Sequence, residues 1–258
     1  MRRFQVLIIV FAFMAMGFAS AFAATLPLAS FAQSNPNSLP FVYTNTTTSA
    51  VDAVISANTP VTFNYLAYGL PIDLPAQLVL SSSTSGFNNA ILSSGILSQL
   101  TDQFTMQFTY IGPTQTIDGK LFTHNVSNLL TMVSTSPFFG GATIMGLSGS
   151  TTPSIGGQDD GSGLPQSIRY TSDYINFAGA GSEKDFTLAL TSLTNINSSL
   201  TGLHRDNPNS PVDDFLSFKS SISGNFGYQV PEPNTFMLLM SSGLGMGLVG
   251  FGLRRRRA

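Results

Sequence analysis

Side chains able to do acid–base or metal chemistry are sparse in this 258-residue chain, which holds two histidines, thirteen Asp and Glu residues and no cysteine. Neither His124 nor His204 has a second good ligand close in sequence. No His-Glu-x-x-His, Gly-x-Ser-x-Gly or phosphate loop ending in Gly-Lys-Ser/Thr occurs, and Gly119-Lys120 lacks the glycine five residues earlier that such a loop needs. His124 lies in an alternating apolar segment and reads as a structural strand residue. His204-Arg205-Asp206 precedes a Pro/Asn stretch and reads as a solvated turn. A Ser-His-Asp triad assembles from distant positions, so a secreted hydrolase stays open as the third and least supported class.

Two acidic segments carry the oxygen ligands that Ca²⁺ takes. One is Gln158-Asp159-Asp160-Gly161-Ser162-Gly163, with Asp159 and Asp160 as the candidate ligands. The other is Asp206-Asn207-Pro208-Asn209 with Asp213-Asp214. Neither has EF-hand spacing. The competing reading is turn chemistry, in which Asp and Asn side chains bond their own backbone.

Composition removes other classes. Only 9% of residues are charged and the net charge is −2, against about 25% charged in an ordinary soluble domain. Arg2, Arg3 and Arg254 to Arg257 leave only Lys120, Arg169, Lys184, Arg205 and Lys219 between them. Nucleic-acid binding needs clustered cations on the phosphates and is excluded as a function. A chain without cysteine holds no disulfide scaffold and no thiolate metal site. Between residues 24 and 230, five basic residues face twelve acidic ones, a net −7.

The elements that must position these residues are strands. Phe104, Met106, Phe108 and Tyr110 alternate with Gln103, Thr105, Gln107 and Thr109. Phe218, Ser220, Ile222, Gly224, Phe226 and Tyr228 share one face opposite Lys219, Ser221, Ser223 and Asn225. Val61 to Tyr65 and Phe186 to Thr191 alternate more loosely, and Gln77–Leu80, Lys120–His124 and Ile168–Tyr170 are further candidates. Period-two patterns rich in aromatic and β-branched residues indicate half-buried antiparallel strands. Turn clusters fall at Gly69 to Pro71, Ser81 to Gly86, Gly112-Pro113, Asp118-Gly119 and Asn207 to Pro211. Ala90 to Leu100 suggests one short helix, weakened by Gly95. Residues 140–166 read as a long Gly/Ser-rich loop. The fold class is all-β, a single β-sandwich or jelly-roll domain.

The two ends carry addresses. Met1-Arg2-Arg3, an apolar run to Phe18, then Ala21-Phe22-Ala23 before Ala24 form the three parts of a secretory signal peptide, with small residues at the −3 and −1 positions. At the other end Val230-Pro231-Glu232-Pro233 precedes an apolar stretch from Phe236 to Leu253. Eighteen residues at about 1.5 Å each span about 27 Å, enough for a hydrocarbon core. Arg254, Arg255, Arg256 and Arg257 then keep the terminus cytoplasmic and place the body outside. A permanent single-span anchor is the rival reading. Gly243, Gly245, Gly247, Gly250 and Gly252 weaken the helix that such an anchor needs, at about 1 kcal/mol each.

Those three parts, in that order, resemble the PEP-CTERM sorting signal over residues 230–258. Asn234-Thr235 departs from the small residue and aromatic usual after the motif. The resemblance implies that Pro231, Glu232 and Pro233 are recognised by exosortase, a membrane transpeptidase of Gram-negative bacteria that make exopolysaccharide. It further implies that residues 236–253 are a transient inner-membrane span and Arg254 to Arg257 a stop-transfer signal. The runs 172–177, 184–190 and 215–226 are loosely similar to the closing strands of such proteins.

The expected organisation is a signal peptide (1–23), a flexible leader (24–40), an extracellular β-sandwich (41–229) and a sorting signal (230–258). The expected function is an exported, non-enzymatic matrix protein with a structural or adhesive role in the exopolysaccharide or biofilm layer. A polysaccharide-binding module is the alternative, and exposed aromatics in a groove would favour it.

Overall fold

A computed structural model describes residues 25–229, apart from 36, 47–50, 67–69, 71–72, 86–88, 136–140, 160–166, 178–183 and 208–212. The signal-peptide residues Ala21, Ala23 and Ala24 and the whole sorting signal, 230–258, lie outside the described residues, as does Asp160. Residues 26–229 form one compact unit. No helix occurs among the described residues, and therefore none long and apolar enough to cross a membrane.

The chain lays down fifteen strands. The first seven are β1 (Thr25–Gln33), β2 (Phe41–Asn45), β3 (Val51–Tyr65), β4 (Leu74–Ser85), β5 (Ile91–Ser93), β6 (Ile96–Thr101) and β7 (Phe104–Tyr110). A small hairpin, β8 (Gln115–Ile117) and β9 (Lys120–Phe122), follows. The remainder are β10 (Asn128–Thr135), β11 (Ala142–Leu147), β12 (Ser154–Asp159), β13 (Ser167–Thr171), β14 (Lys184–Asn195) and β15 (Phe218–Gln229).

Thirteen strands join in one antiparallel sheet, ordered β13-β10-β7-β4-β3-β1-β15-β14-β12-β11-β6-β5. β2 shares the slot of β1: β3 pairs with β1 through Val61–Tyr65 and with β2 through Ala53–Ser56. Pro60 falls at the break between them. Its carbonyl accepts from Ser34 N–H at 3.2 Å, so its nitrogen points to the same side, where no ladder partner needs a donor.

The sheet folds over on itself in a sandwich-like way, and ring contacts show which halves meet. Phe108 of β7 packs on Phe226 of β15 at 5.6 Å, Phe104 of β7 on Phe186 of β14 at 5.6 Å, and Tyr170 of β13 on Phe226 at 6.1 Å. Alternation in β3, β4 and β7 sends Ile55, Phe63, Leu78, Leu80, Met106 and Phe108 inward. Outward positions carry Asn58, Gln77, Ser81, Gln107 and Thr109. Gly224 is inward on β15, and a Cβ there would meet Leu188 at 2.5 Å and Phe31 at 2.8 Å. The missing side chain makes room for a neighbouring ring.

Several sequence expectations are corrected. Residues 25–33 are a central strand, not a flexible leader. Leu28, Ala29 and Phe31 are buried there because β1, with β2 beyond it, fills the slot between β3 and β15. Ala90 to Leu100 is no helix but a hairpin. Ser94 (φ 51°) and Gly95 (φ 82°) both take positive φ, a two-residue turn whose twist matches the strands it joins. Asp118 (φ 50°) and Gly119 (φ 76°) make the same turn between β8 and β9.

Ser81 to Ser85 continues β4, since its serines pair with Val51–Ser56 of β3. Within 140–166, residues 142–159 form the β11–β12 hairpin. Residues 172–177, read as strand, are a loop after β13.

Candidate functional site

That loop builds an open groove of about 460 Å³, lined by Tyr170 to Phe177. β13 ends at Thr171 and the chain turns sharply, with the Ser172 hydroxyl accepting from Tyr174 N–H at 3.1 Å. Asp173 and Asn128 clamp the turn from both sides. Asp173 N–H donates to Asn128 O at 3.0 Å, and Asn128 N–H donates to Asp173 Oδ2 at 2.7 Å. Below them the Tyr65 hydroxyl donates to Leu129 O at 2.7 Å and lies 3.4 Å from Ser172 Oγ.

The β8–β9 hairpin holds Tyr174. Its ring lies 4.2 Å from that of Phe122 at 18°, and its hydroxyl donates to Leu121 O at 2.8 Å. Lys120 Nζ donates to Tyr174 O at 3.1 Å. Desolvation chiefly, with the charge of Asp173 beside it, raises the Tyr174 pKa, so the hydroxyl is a neutral donor. Phe177 rests against Tyr170 at 5.8 Å. The groove therefore offers two half-buried rings fixed from behind, an exposed carboxylate at Asp173 and an exposed amide at Asn176. Such a mixture suits a polyhydroxylated ligand, with ring faces for C–H surfaces and polar groups for hydroxyls. Asp173 is the only carboxylate among the described lining residues, so the paired carboxylates that glycoside hydrolysis needs are not assembled there.

A second polar cluster is buried. The Tyr43 hydroxyl donates to Gln99 Oε1 at 2.8 Å and lies 3.5 Å from Asp214 Oδ1, to which Gln99 Nε2 donates. Tyr43 is 0% exposed, Gln99 1% and Asp214 7%. Burial first, then the Asp214 charge, pushes the Tyr43 pKa well above 10. Substrate has no way to this cluster among the described residues, and its chemistry is that of mutual satisfaction.

The sequence candidates fare differently. Asp159 ends β12 and its Oδ2 accepts from Ile168 N–H of β13 at 3.3 Å. Asp213 Oδ1 accepts from Asp214 N–H at 2.9 Å, and its Oδ2 accepts from Asn207 N–H, which is turn chemistry. Among the described residues no group of three or more His, Cys, Asp or Glu could hold a metal ion.

His124 is not in a strand. It is exposed in the turn after β9, with Nδ1 2.9 Å from Ile111 O and 3.0 Å from Gly112 O. His204 is half-buried, with Nε2 2.9 Å from Thr201 O, beside the Arg205–Phe215 bridge rather than in a free turn.

The groove was missed because 172–177 was read as strand pattern. Ser172-Asp173 before Tyr174 is a turn signal that, weighted properly, would have marked it as a loop. No known family model, curated protein or solved structure matches the chain.

Proposed function

We propose that the chain is an exported surface or matrix protein, sorted by exosortase, whose body plays a structural or adhesive role in an exopolysaccharide layer. The observation that carries this reading is the order Val230-Pro231-Glu232-Pro233, apolar 236–253, Arg254 to Arg257, on a chain that opens with a signal peptide. The span is a transient inner-membrane intermediate, and the body ends at the cell surface or in the matrix. The all-β unit supports the reading, since outward positions of β3, β4 and β7 such as Asn58, Gln77, Ser81, Gln107 and Thr109 are uncharged polar residues. We class it as a single β-sandwich or jelly roll without enzymatic activity.

Deleting residues 231–258 is expected to abolish surface delivery and to reduce floc or biofilm formation. A released product that keeps its four terminal arginines in a strain with active exosortase would sink the sorting reading.

The groove at 170–177 favours a second reading, in which the body binds exopolysaccharide. Tyr174→Ala would then lower retention on immobilised exopolysaccharide by about tenfold, the order of one lost ring contact of about 1.5 kcal/mol. Retention equal to wild type would remove it.

A further inference from the structure

The carboxylates of this protein differ in what they leave open to a ligand. Asp213 spends its oxygens on the backbone N–H groups of Asp214 and Asn207. Asp214 is 7% exposed, enclosed with Tyr43 and Gln99. Asp173, in the groove wall, is exposed. Its Oδ2 accepts from Asn128 N–H at 2.7 Å, which fixes the carboxylate, while its Oδ1 accepts from no described residue.

Tyr174 follows directly, its Cα about 3.8 Å from that of Asp173. Phe122 covers one face of its ring at 4.2 Å and Leu121 O takes its hydroxyl, so the ring is held as part of the groove wall. A sugar laid on such a ring turns its C–H face to it and sends its equatorial substituents outward in its own plane. A substituent leaving on the Asp173 side meets Oδ1. Both partners suit a cation. The carboxylate offers a charge-assisted bond, about twice as strong as a neutral one, and the tyrosine face attracts positive charge through its quadrupole. An acidic sugar meets the opposite field. Lys120, brought to this loop by the β8–β9 hairpin, is bonded to the Tyr174 carbonyl at 3.1 Å.

We propose that the groove is specific for an amino-sugar polymer with free ammonium groups, Asp173 Oδ1 taking the ammonium and Tyr174 the face of the sugar ring. The assignment rests on the reading that the groove binds exopolysaccharide, and names the class of sugar. Asp173 is the specificity-determining residue. Asn128, whose N–H holds the carboxylate, is a positioning residue, and Phe122 supports the ring. N-acetylation removes the charge and puts an amide in the place of the ammonium. A uronic acid brings one carboxylate against another.

The test measures retention of the full-length chain, in detergent, on immobilised oligomers of glucosamine, of N-acetylglucosamine and of a uronic acid. Glucosamine is expected to hold it about fivefold more strongly than the N-acetylated form, the order of one exposed ion pair, and the uronate to hold it least. Asp173→Asn keeps an acceptor for Asn128 N–H, removes the charge, and is expected to bring the ratio of glucosamine to N-acetylglucosamine to one. Asp206→Asn removes an exposed carboxylate outside the groove and is expected to leave that ratio as it was, which separates the groove from the general attraction of an acidic body for a polycation. A wild-type ratio of one, a preference for the uronate, a ratio that survives Asp173→Asn, or an equal fall in Asp206→Asn overturns the assignment. Tyr174→Ala tells this failure from that of the underlying reading. If it lowers retention on every oligomer while the ratio is one, the groove stays a sugar site and the amine specificity is wrong. If it changes retention on none, the groove is not the site, and both fall.

Discussion

At one end of the interior, around Phe108, the sheet closes on hydrocarbon alone. Phe31, Phe63 and Phe226 pack on Phe108 at 4.9, 5.0 and 5.6 Å, Phe31 meets Phe226 at 6.1 Å, and Tyr170 sends its hydroxyl outward to Asp185 O. At the other end, around Tyr43, rings still stack, with Phe218 at 5.2 Å and 2°. There they surround the hydrogen-bonded set of Tyr43, Gln99 and Asp214. The dry end gains from burial and packing, which tolerate small adjustments of neighbours. The polar end gains little net energy but penalises any arrangement that leaves a member unpaired. One end supplies stability, the other ties β2 and β6 to the segment at Asp214 in a single geometry.

The sharpest break of that contrast is Phe108→Ala, expected to cost about 3–5 kcal/mol, since truncation opens a cavity among rings that only partly collapses. A urea midpoint that scarcely moves would show that the dry end is not where stability sits. Asp214→Ala is expected to cost about 1–3 kcal/mol by stranding the Gln99 amide in the interior, with Asp214→Asn recovering part of it. A fully tolerated alanine would mean that the polar end is filled rather than specified.

Alkali separates the ends less strongly. Tyr43, Tyr65 and Tyr170 all have folded pKa values raised above 10, chiefly by burial. Their contribution is therefore full below pH 10 and is lost as the unfolded chain ionises and the pH climbs toward the folded values. Tyr43→Phe should flatten that alkaline loss, while stability at pH 7 changes by about 1 kcal/mol or less. An unchanged alkaline limb would remove Tyr43 from the explanation.

The smallest effect is expected at Asp185, partly buried on β14, where desolvation raises the carboxyl pKa above 3.8. The raised value means stability is greatest in acid and falls as pH rises through the folded pKa. Asp185→Asn should thus raise the melting temperature at pH 7 but not at pH 3, and a drop at pH 7 would contradict it.

The dry end was legible in the sequence because alternation writes it directly. Phe104, Met106, Phe108 and Tyr110 were placed on one face, and all four are 0% exposed. The polar end was hidden. Gln99 lies in a stretch whose spacing suits a helix, and only the positive φ of Ser94 and Gly95 turns it into a hairpin. β1 was missed because its burial comes from partners far along the chain, β3 and β15. The groove depends likewise on Asn128 and Lys120, some fifty residues before Tyr174, which no local pattern connects to it.

The slot shared by β1 and β2 has a consequence for the order in which this fold can be completed. β1 and β2 both run antiparallel to β3, and β15 runs antiparallel to β2 and lies beside β1. The first strand of the body and the last are therefore neighbours, and its two chain ends leave the sheet side by side. A chain that folds from its N-terminus must hold the seam next to β1 open until the final dozen residues arrive, with Phe31 waiting for Gly224 and Phe226. Completion is thereby tied to the last strand. A chain stopped after Asn195 should be degraded by protease under conditions where one reaching Gln229 survives.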